Sequence, residues 1–372
     1  MSKSWEDLGK RVLEARRDIG LTQLELAAAL QLERTAITKI EAGQRTVDSL
    51  ELAQLADVLR RPIGWFVTTP SPSVVSRRAE REDMIRREDV QLEEITQDVE
   101  QLISLGVLRP ASLKPLTIDS LDGAEQAARE TRRALGLALD APAWELVALV
   151  ERLGLYVFVQ ELAGSGAAQA EGSYVALQQG GVALIGAAGD SGRRRFTIAH
   201  ELGHHVLADQ YASEWVVGVG ATEREKVINA FAIHFLLPRS AVEARWLQHD
   251  GKADPRGATI RIGIEFGLTW SATCAQLERL GCLTARTYDA VLAQKPTRLD
   301  LVERELRVRS DVEAPLVPPG YAAAVVRALR KSKLGPRRAI ELLRGTLHER
   351  DLPSARSLSL DAMTAELDIL PA

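Results

Sequence analysis

Along residues 5–67, apolar positions recur at intervals of three and four: Leu8, Val12 and Leu13, then Leu24, Ala27, Ala28 and Leu30, then Ile37 and Ile40, then Leu50, Leu52, Leu55 and Leu59. That spacing keeps one helical face apolar. Gly20, the Gln31–Leu32–Glu33 stretch and Gly43 interrupt it with gaps that fit only tight turns. Residues 1–67 therefore predict a bundle of five short helices. The prolines and serines of TTPSPSVVS, residues 68–76, forbid a helix and mark a linker. A charged connecting segment follows over 77–124. In its helical part Ile85, Leu92, Ile95, Val99 and Leu102 approximate a seven-residue repeat. The repeat is short, which favours a solvated helix laid across the next domain over a dimeric coiled coil.

The pattern changes at LYVFVQ (155–160), a strand preceded by two helices. SYVALQ and GVALIGA, joined by a Gln-Gly-Gly turn around Gly180, predict a hairpin. Helical periodicity returns at Arg194 and runs to about Leu247. Residues 125–250 thus read as a domain with a short sheet, and 251–372 as a helical C-terminal region broken near Pro296, Pro315–Pro319 and Pro353. Within that region GATIRIGIEFGLTWSATCAQLERLGCL (257–283) predicts helix, turn and helix, somewhat like a winged-helix core. The fold class expected is mainly α with a small β-sheet, α+β.

Composition sets limits on this picture. With 46% apolar and 26% charged residues, disorder and collagen-like repeats are excluded, and 372 residues allow two or three domains. No apolar run approaches the roughly 18 residues of a membrane span, and the opening MSKSWEDLGK carries no signal-peptide core. Cys274 and Cys282 are spaced for neither a disulfide framework nor a zinc ribbon, and read as small apolar residues. The expectation is a cytoplasmic, reduced protein with no membrane partner. A net charge of −4 excludes a chain that coats nucleic acid over its whole surface, but not one basic face.

The chemistry concentrates in RRFTIAHELGHHVLAD, residues 194–209. His200 and His204 are four apart, so on a helix both imidazoles face one way and reach one tetrahedral ion. Glu201 is turned about 100° from His200, better placed to take a proton from water than to bind the metal. Six histidines and 51 acids in this length give roughly 0.01 such motifs by chance. The flanking Ile198, Ala199, Leu202, Val206 and Leu207 bury the helix, where charged and polar groups are costly without a partner such as a metal.

A third ligand is expected from ATEREKVINAFAIHFLLP, residues 221–238. Glu225 and Asn229 share a helical face, which makes Glu225 the natural ligand and Asn229 a supporting partner; Glu223 is the fallback. His234 falls out of phase and His205 points away, so both are expected to pack or hydrogen-bond. His249 and His348 carry no motif. A two-histidine, one-glutamate zinc site with an unliganded acid beside it suits amide hydrolysis. The strand before the motif helix offers an edge for an extended peptide.

These residues resemble the ImmA/IrrE family of metallopeptidases over about 130–240, through RRFTIAHELGHHVL and EREKVINAFAIHFLLP. The resemblance implies a zincin-like domain with zinc (manganese as a possible substitute in vitro) on His200, His204 and Glu225, with Glu201 as catalytic base. It also implies a helix-turn-helix repressor as protein substrate. The chain departs from the family pattern at Ile185–Gly186, where an Asn often ends the strand, and at Leu237–Pro238, where Met-Pro is frequent.

LGKRVLEARRDIGLTQLELAAALQLERTAITKIEAGQRTVDSLELAQLADVL resembles the Xre/Cro-type helix-turn-helix along its whole length. The resemblance implies a recognition helix over Arg34–Glu41, presenting Arg34, Thr35, Thr38 and Lys39 to the major groove of double-stranded operator DNA. Gln23 and Arg45 are expected near phosphates or neighbouring bases, and Arg16 and Glu41 as a structural ion pair. Residues 1–70 hold ten basic and ten acidic side chains. Non-specific attraction to DNA is therefore weak, and binding is expected to rely on placed contacts and a homodimer. The leading expectation is a DNA-binding transcriptional regulator carrying a zinc endopeptidase that cuts a repressor-type protein or itself. The alternative is an antitoxin-like or repressor-type factor whose peptidase-like domain only binds a partner or senses a signal.

Overall fold

The computed structural model describes residues 4–59, 61, 63–67, 87–111, 116, 120–162, 172–207 and 219–352. The linker expected over 68–76 lies outside them. The chain is mainly helical with one small mixed sheet, and it divides into two compact units, Met1–Glu94 and Ile95–Ala372.

The first unit begins with α1 (Trp5–Asp18), α2 (Gln23–Ala29), α3 (Arg34–Glu41), α4 (Ser49–Val58) and α5 (Ile63–Val67). Thr22 caps α2 in a capping box, its hydroxyl accepting from the Glu25 N–H while its own N–H donates to the Glu25 carboxylate. Glu33 precedes α3 and makes no side-chain cap. Gly43, at φ +69°, follows the end of α3 in the left-handed region that favours glycine. Val12, Leu26, Ile37, Ile40, Leu59 and Trp65 fill the core. The expected apolar face needs two corrections. Leu24 and Leu50 are exposed and Leu26 is buried instead; Leu26 and Leu30 lie about 160° and about 120° around the helix from Leu24. Ala28 is likewise exposed. Trp65 stacks under the Arg11 guanidinium at 4.1 Å and donates its indole N–H to Glu93 at 2.8 Å.

The boundary between the units falls within α6 (Arg87–Ser104). This helix is less solvated than its charge suggested. Leu92, Ile95, Val99 and Leu102 are buried, as are Glu93, Thr96 and Asp98, so these four seam positions are already covered within one chain; Ile85 lies outside the described residues. Asp98 accepts from Arg338 and Arg344, both at 2.5 Å.

The second unit continues with α7 (Leu121–Ala134) and α8 (Leu146–Glu151), then β1 (Leu155–Gln160), β2 (Gly172–Ala176) and β3 (Gly181–Gly186). The sheet order is β1-β3-β2, with β3 parallel to β1 and antiparallel to β2. β3 is therefore central and has no free edge, which corrects the expectation that the strand before the motif helix offers one; β2 is the outer strand. Val159 of β1 exchanges backbone hydrogen bonds with Leu316 on the sheet's other side. Next come α9 (Ser191–Val206), α10 (Val219–Leu236), α11 (Arg239–Gln248), α12 (Pro255–Phe266) and α13 (Trp270–Arg279). α12, the turn at Gly267 and α13 reproduce the helix–turn–helix expected over 257–283. One apolar core runs from Ala124 to Val312, and it includes Cys274. Burial pushes the Cys274 thiol up to about 11, as befits an inert residue. Farther along are α14 (Ala285–Leu292), α15 (Arg298–Glu303), α16 (Pro319–Arg330) and α17 (Pro336–Leu343).

Two buried arginines fasten the start of α9. Arg194 donates to the carbonyls of Ala187, Gly189 and Val312, and Arg195 pairs with Asp311 at 2.6 Å while its guanidinium lies 4.4 Å from the Trp144 ring. Removing Asp311 strands a charge that is completely buried. Asp311→Ala and Arg195→Met are each predicted to cost about 3–5 kcal/mol in denaturant unfolding, because each leaves the other buried charge unpaired, and the double variant to cost less than their sum. Strictly additive losses would contradict the assignment.

Candidate metal centre and helix-turn-helix face

α9 and α10 cross where Gly203 of α9 meets Ile228 and Phe231 of α10. A Cβ on Gly203 would lie 2.9 Å from Ile228 Cγ2 and 3.2 Å from Phe231 Cδ1, so this close crossing requires glycine. Asp190 caps α9, and Arg132 of α7 donates to the Phe235 carbonyl near the end of α10 at 2.7 Å. Both helices are thereby fixed at the ends that flank the crossing.

The crossing brings His200, His204 and Glu225 together. The two Nε2 atoms are 3.2 Å apart, and Glu225 oxygens lie 3.3 Å from His200 Nε2 and 3.6 Å from His204 Nε2. A tetrahedral ion with bonds of about 2.0–2.1 Å needs ligand atoms about 3.3–3.4 Å apart. The donor set and its spacing fit zinc.

Around this triangle the side chains divide by role. Asn229 accepts from His200 Nδ1 at 3.0 Å, which leaves the Nε2 lone pair turned toward Glu225. Burial alone lowers the His200 pKa, but the Glu225 hydrogen bond, the charges of Glu201 and Glu225 and the Asn229 contact outweigh it. The imidazole is held above its ordinary value. Glu201 is buried, and its carboxylate reaches the start of β2: a Cβ on Gly172 would lie 2.3 Å from Glu201 Oε1. Glu223 pairs with Lys226 at 2.7 Å and stands apart from the triangle.

His205 faces away, as expected. It donates from Nε2 to the Leu153 carbonyl at 2.9 Å and accepts at Nδ1 from Tyr174 of β2 at 3.1 Å. Its burial lowers its pKa and keeps it neutral. His234 also lies elsewhere, accepting at Nδ1 from Gln276 at 3.2 Å, with burial driving its pKa down. Sequence reasoning missed Tyr174, whose ring stacks near His204 with centroids 6.4 Å apart. It missed Gly172 too. Neither belongs to a motif, and only the sheet brings them to the helix.

In the first unit α3 carries Arg34, Thr35, Thr38 and Lys39 as exposed side chains. Arg16 and Glu41 form the expected ion pair, two-pronged at 2.6 and 3.1 Å. Gln23 donates to Glu41 at 2.8 Å and accepts from Thr38 at 3.3 Å, so it is oriented from within the chain. Arg45 is engaged by Glu51 at 2.5 Å.

Residues 150–278 match the IrrE N-terminal-like domain, a peptidase family, and residues 12–66 match the helix-turn-helix family. The chain joins a helix-turn-helix domain to an IrrE-like domain. Among solved structures it is similar to a Mycobacterium tuberculosis transcriptional regulator, at 18% identity and a TM-score of 0.33, covering 50% of this chain and 51% of that one. The chain's match thus spans about half the length of that regulator. Bacillus thuringiensis PlcR, in complex with the peptide PapR7 and DNA, aligns over 91% of each chain at 12% identity and a TM-score of 0.18. No curated protein matches the chain. None of the described helices is long and apolar enough to cross a membrane.

The IrrE-like domain yields two predictions. Gly203→Val should push α10 away from α9 and weaken zinc binding at least tenfold in a competition titration, while Gly335→Val, at an open position, should leave it unchanged. Because the His200 pKa is raised, its protonated form persists to higher pH and must release a proton to bind metal. Zinc affinity should therefore fall as pH is lowered from about 8 to about 6. A flat profile would contradict the geometry.

Proposed function

We propose that this protein is a cytoplasmic DNA-binding transcriptional regulator whose IrrE-like domain is a zinc-dependent endopeptidase acting on a repressor-type protein. The observation that carries the reading is the triangle of two imidazole nitrogens and one carboxylate at tetrahedral spacing, with a second, buried carboxylate next to it. A structural zinc site has no use for that additional acid.

His200, His204 and Glu225 would hold the ion, and manganese is a plausible replacement in vitro. When bound, the metal supplies Lewis acidity that polarises a peptide carbonyl and makes water a better nucleophile. Asn229 fixes the His200 tautomer through its Nδ1–H. Glu201 takes the proton of the attacking water and hands it to the departing amine, so one carboxylate serves as base and then acid. The outer strand β2 packs against α9 and starts beside Glu201. An extended substrate lying along it would bring a backbone carbonyl to the site.

At the other end of the chain, Arg34, Thr35, Thr38 and Lys39 would enter the major groove. Gln23, braced by Glu41, and Arg45 would sit close to the phosphates or adjacent bases. The charge balance of this domain makes a homodimer on a two-fold operator the economical arrangement.

Glu201→Gln should retain zinc and operator binding but lose cleavage of a candidate repressor by at least about 100-fold, as expected for a general base. Cleavage or derepression at wild-type rate in this variant would overturn the enzymatic reading. Arg34→Ala and Thr38→Ala should each weaken operator binding by about 1–3 kcal/mol per lost base contact, with cleavage unchanged. Unaltered operator affinity in both would assign α3 to protein docking.

A further inference from the structure

The second unit contains a cavity of about 530 Å³ that shares no residue with the metal centre. Its walls come from the turn after α6, the end of α8, β1 and α16. Four cationic side chains line it: Arg109, Arg152, Arg327 and Lys331. Arg327 and Lys331 are one helical turn apart and so share a face. Among the described residues none of the four is in an ion pair with a carboxylate, and Arg327 is held by a donated bond to the Val107 carbonyl at 3.0 Å.

The cavity's one acid offsets a single cation and pairs with none of them. Glu151 accepts from the Gly320 and Tyr321 N–H groups, both at 2.7 Å, and so serves the start of α16. Tyr156 also lines the cavity. It is only 2% exposed, yet its hydroxyl has no hydrogen-bond partner among the described residues. The ring is buried, but the hydroxyl is not among the buried polar atoms left without a partner: it meets the solvent of the cavity and is free to donate to a ligand there.

Four cations against one carboxylate around one concavity run against the chain's net charge of −4. That local excess favours a multiply charged anion. Arginine forks match phosphate oxygens in pairs, and lysine adds a mobile point charge. The volume lies within the roughly 300–1,000 Å³ range of small-ligand sites, and the four cations stand exposed around its open mouth. We propose that this cavity binds a small, multiply phosphorylated metabolite, gripped by Arg109, Arg152, Arg327 and Lys331, with the Tyr156 hydroxyl donating to it.

The test is calorimetric titration of the full-length chain with pyrophosphate and with fructose 1,6-bisphosphate, using glucose as the uncharged control. Both anions should bind one per chain, more weakly at higher salt, and glucose should not bind. Arg152→Ala combined with Lys331→Ala should reduce affinity at least tenfold. Tyr156→Phe should reduce it severalfold while the ligand-free thermal midpoint stays within a degree or so of wild type, because the hydroxyl holds nothing in the fold. Absence of binding by either anion at millimolar concentration would overturn the proposal. So would undiminished binding in the double variant, which would move the anions to the metal centre or the helix-turn-helix. Loss of operator-DNA binding in the double variant with intact pyrophosphate binding would instead assign these cations to DNA.

Discussion

The close approach of α9 and α10 at Gly203 is the constraint on which the candidate centre depends. The two imidazoles belong to one helix and keep their spacing wherever it lies. The carboxylate belongs to the other, and its distance from them is set by helix packing. A side chain at residue 203 would meet Ile228 and Phe231, which are completely buried and have nowhere to retreat. The apolar core thus works as a spacer, and the ligand triangle follows from the packing.

Polar groups hold that packing at its edges. Arg194 and Arg195 bind the start of α9 to residues 311–313, and Arg132 holds the far end of α10. His205 ties the end of α9 to the turn before β1 through Leu153, and to β2 through Tyr174. Each of these groups is buried and bonded to a partner distant in sequence, so each costs more to orphan than it contributes as a pair. The helix-turn-helix uses the same device on a smaller scale. Glu41 receives Arg16 and Gln23 together, which orders the side chain next to Thr38 while leaving the outer face of α3 exposed.

Much of this was legible in the sequence because it is local. Four-residue spacing gave the imidazole pair, Gly20 and Gly43 marked helix ends, and the turn at Gly180 announced the hairpin. Glu225 and Asn229 were readable from their shared helical phase. What escaped was what only tertiary contact creates. The central place of β3 depends on a parallel pairing with β1 that hairpin signals cannot reveal. The anchoring by Arg194 and Arg195 was not legible, since nothing nearby in sequence announces Asp311 or the Val312 carbonyl. The connecting helix α6 was misjudged for a related reason: its buried Glu93 and Asp98 find arginines and an indole far away along the chain, and charge alone reads as solvation.

The most direct test of the central claim is zinc K-edge X-ray absorption of the zinc-loaded, full-length chain and of its Glu225→Ala variant. Two imidazole and additional oxygen scatterers at about 2.0–2.1 Å, no sulfur, and one ion per chain are expected for the wild type. The variant should keep both imidazoles, lose the carboxylate contribution and bind zinc far more weakly. A sulfur ligand, or a spectrum and affinity unchanged by removing Glu225, would contradict the account.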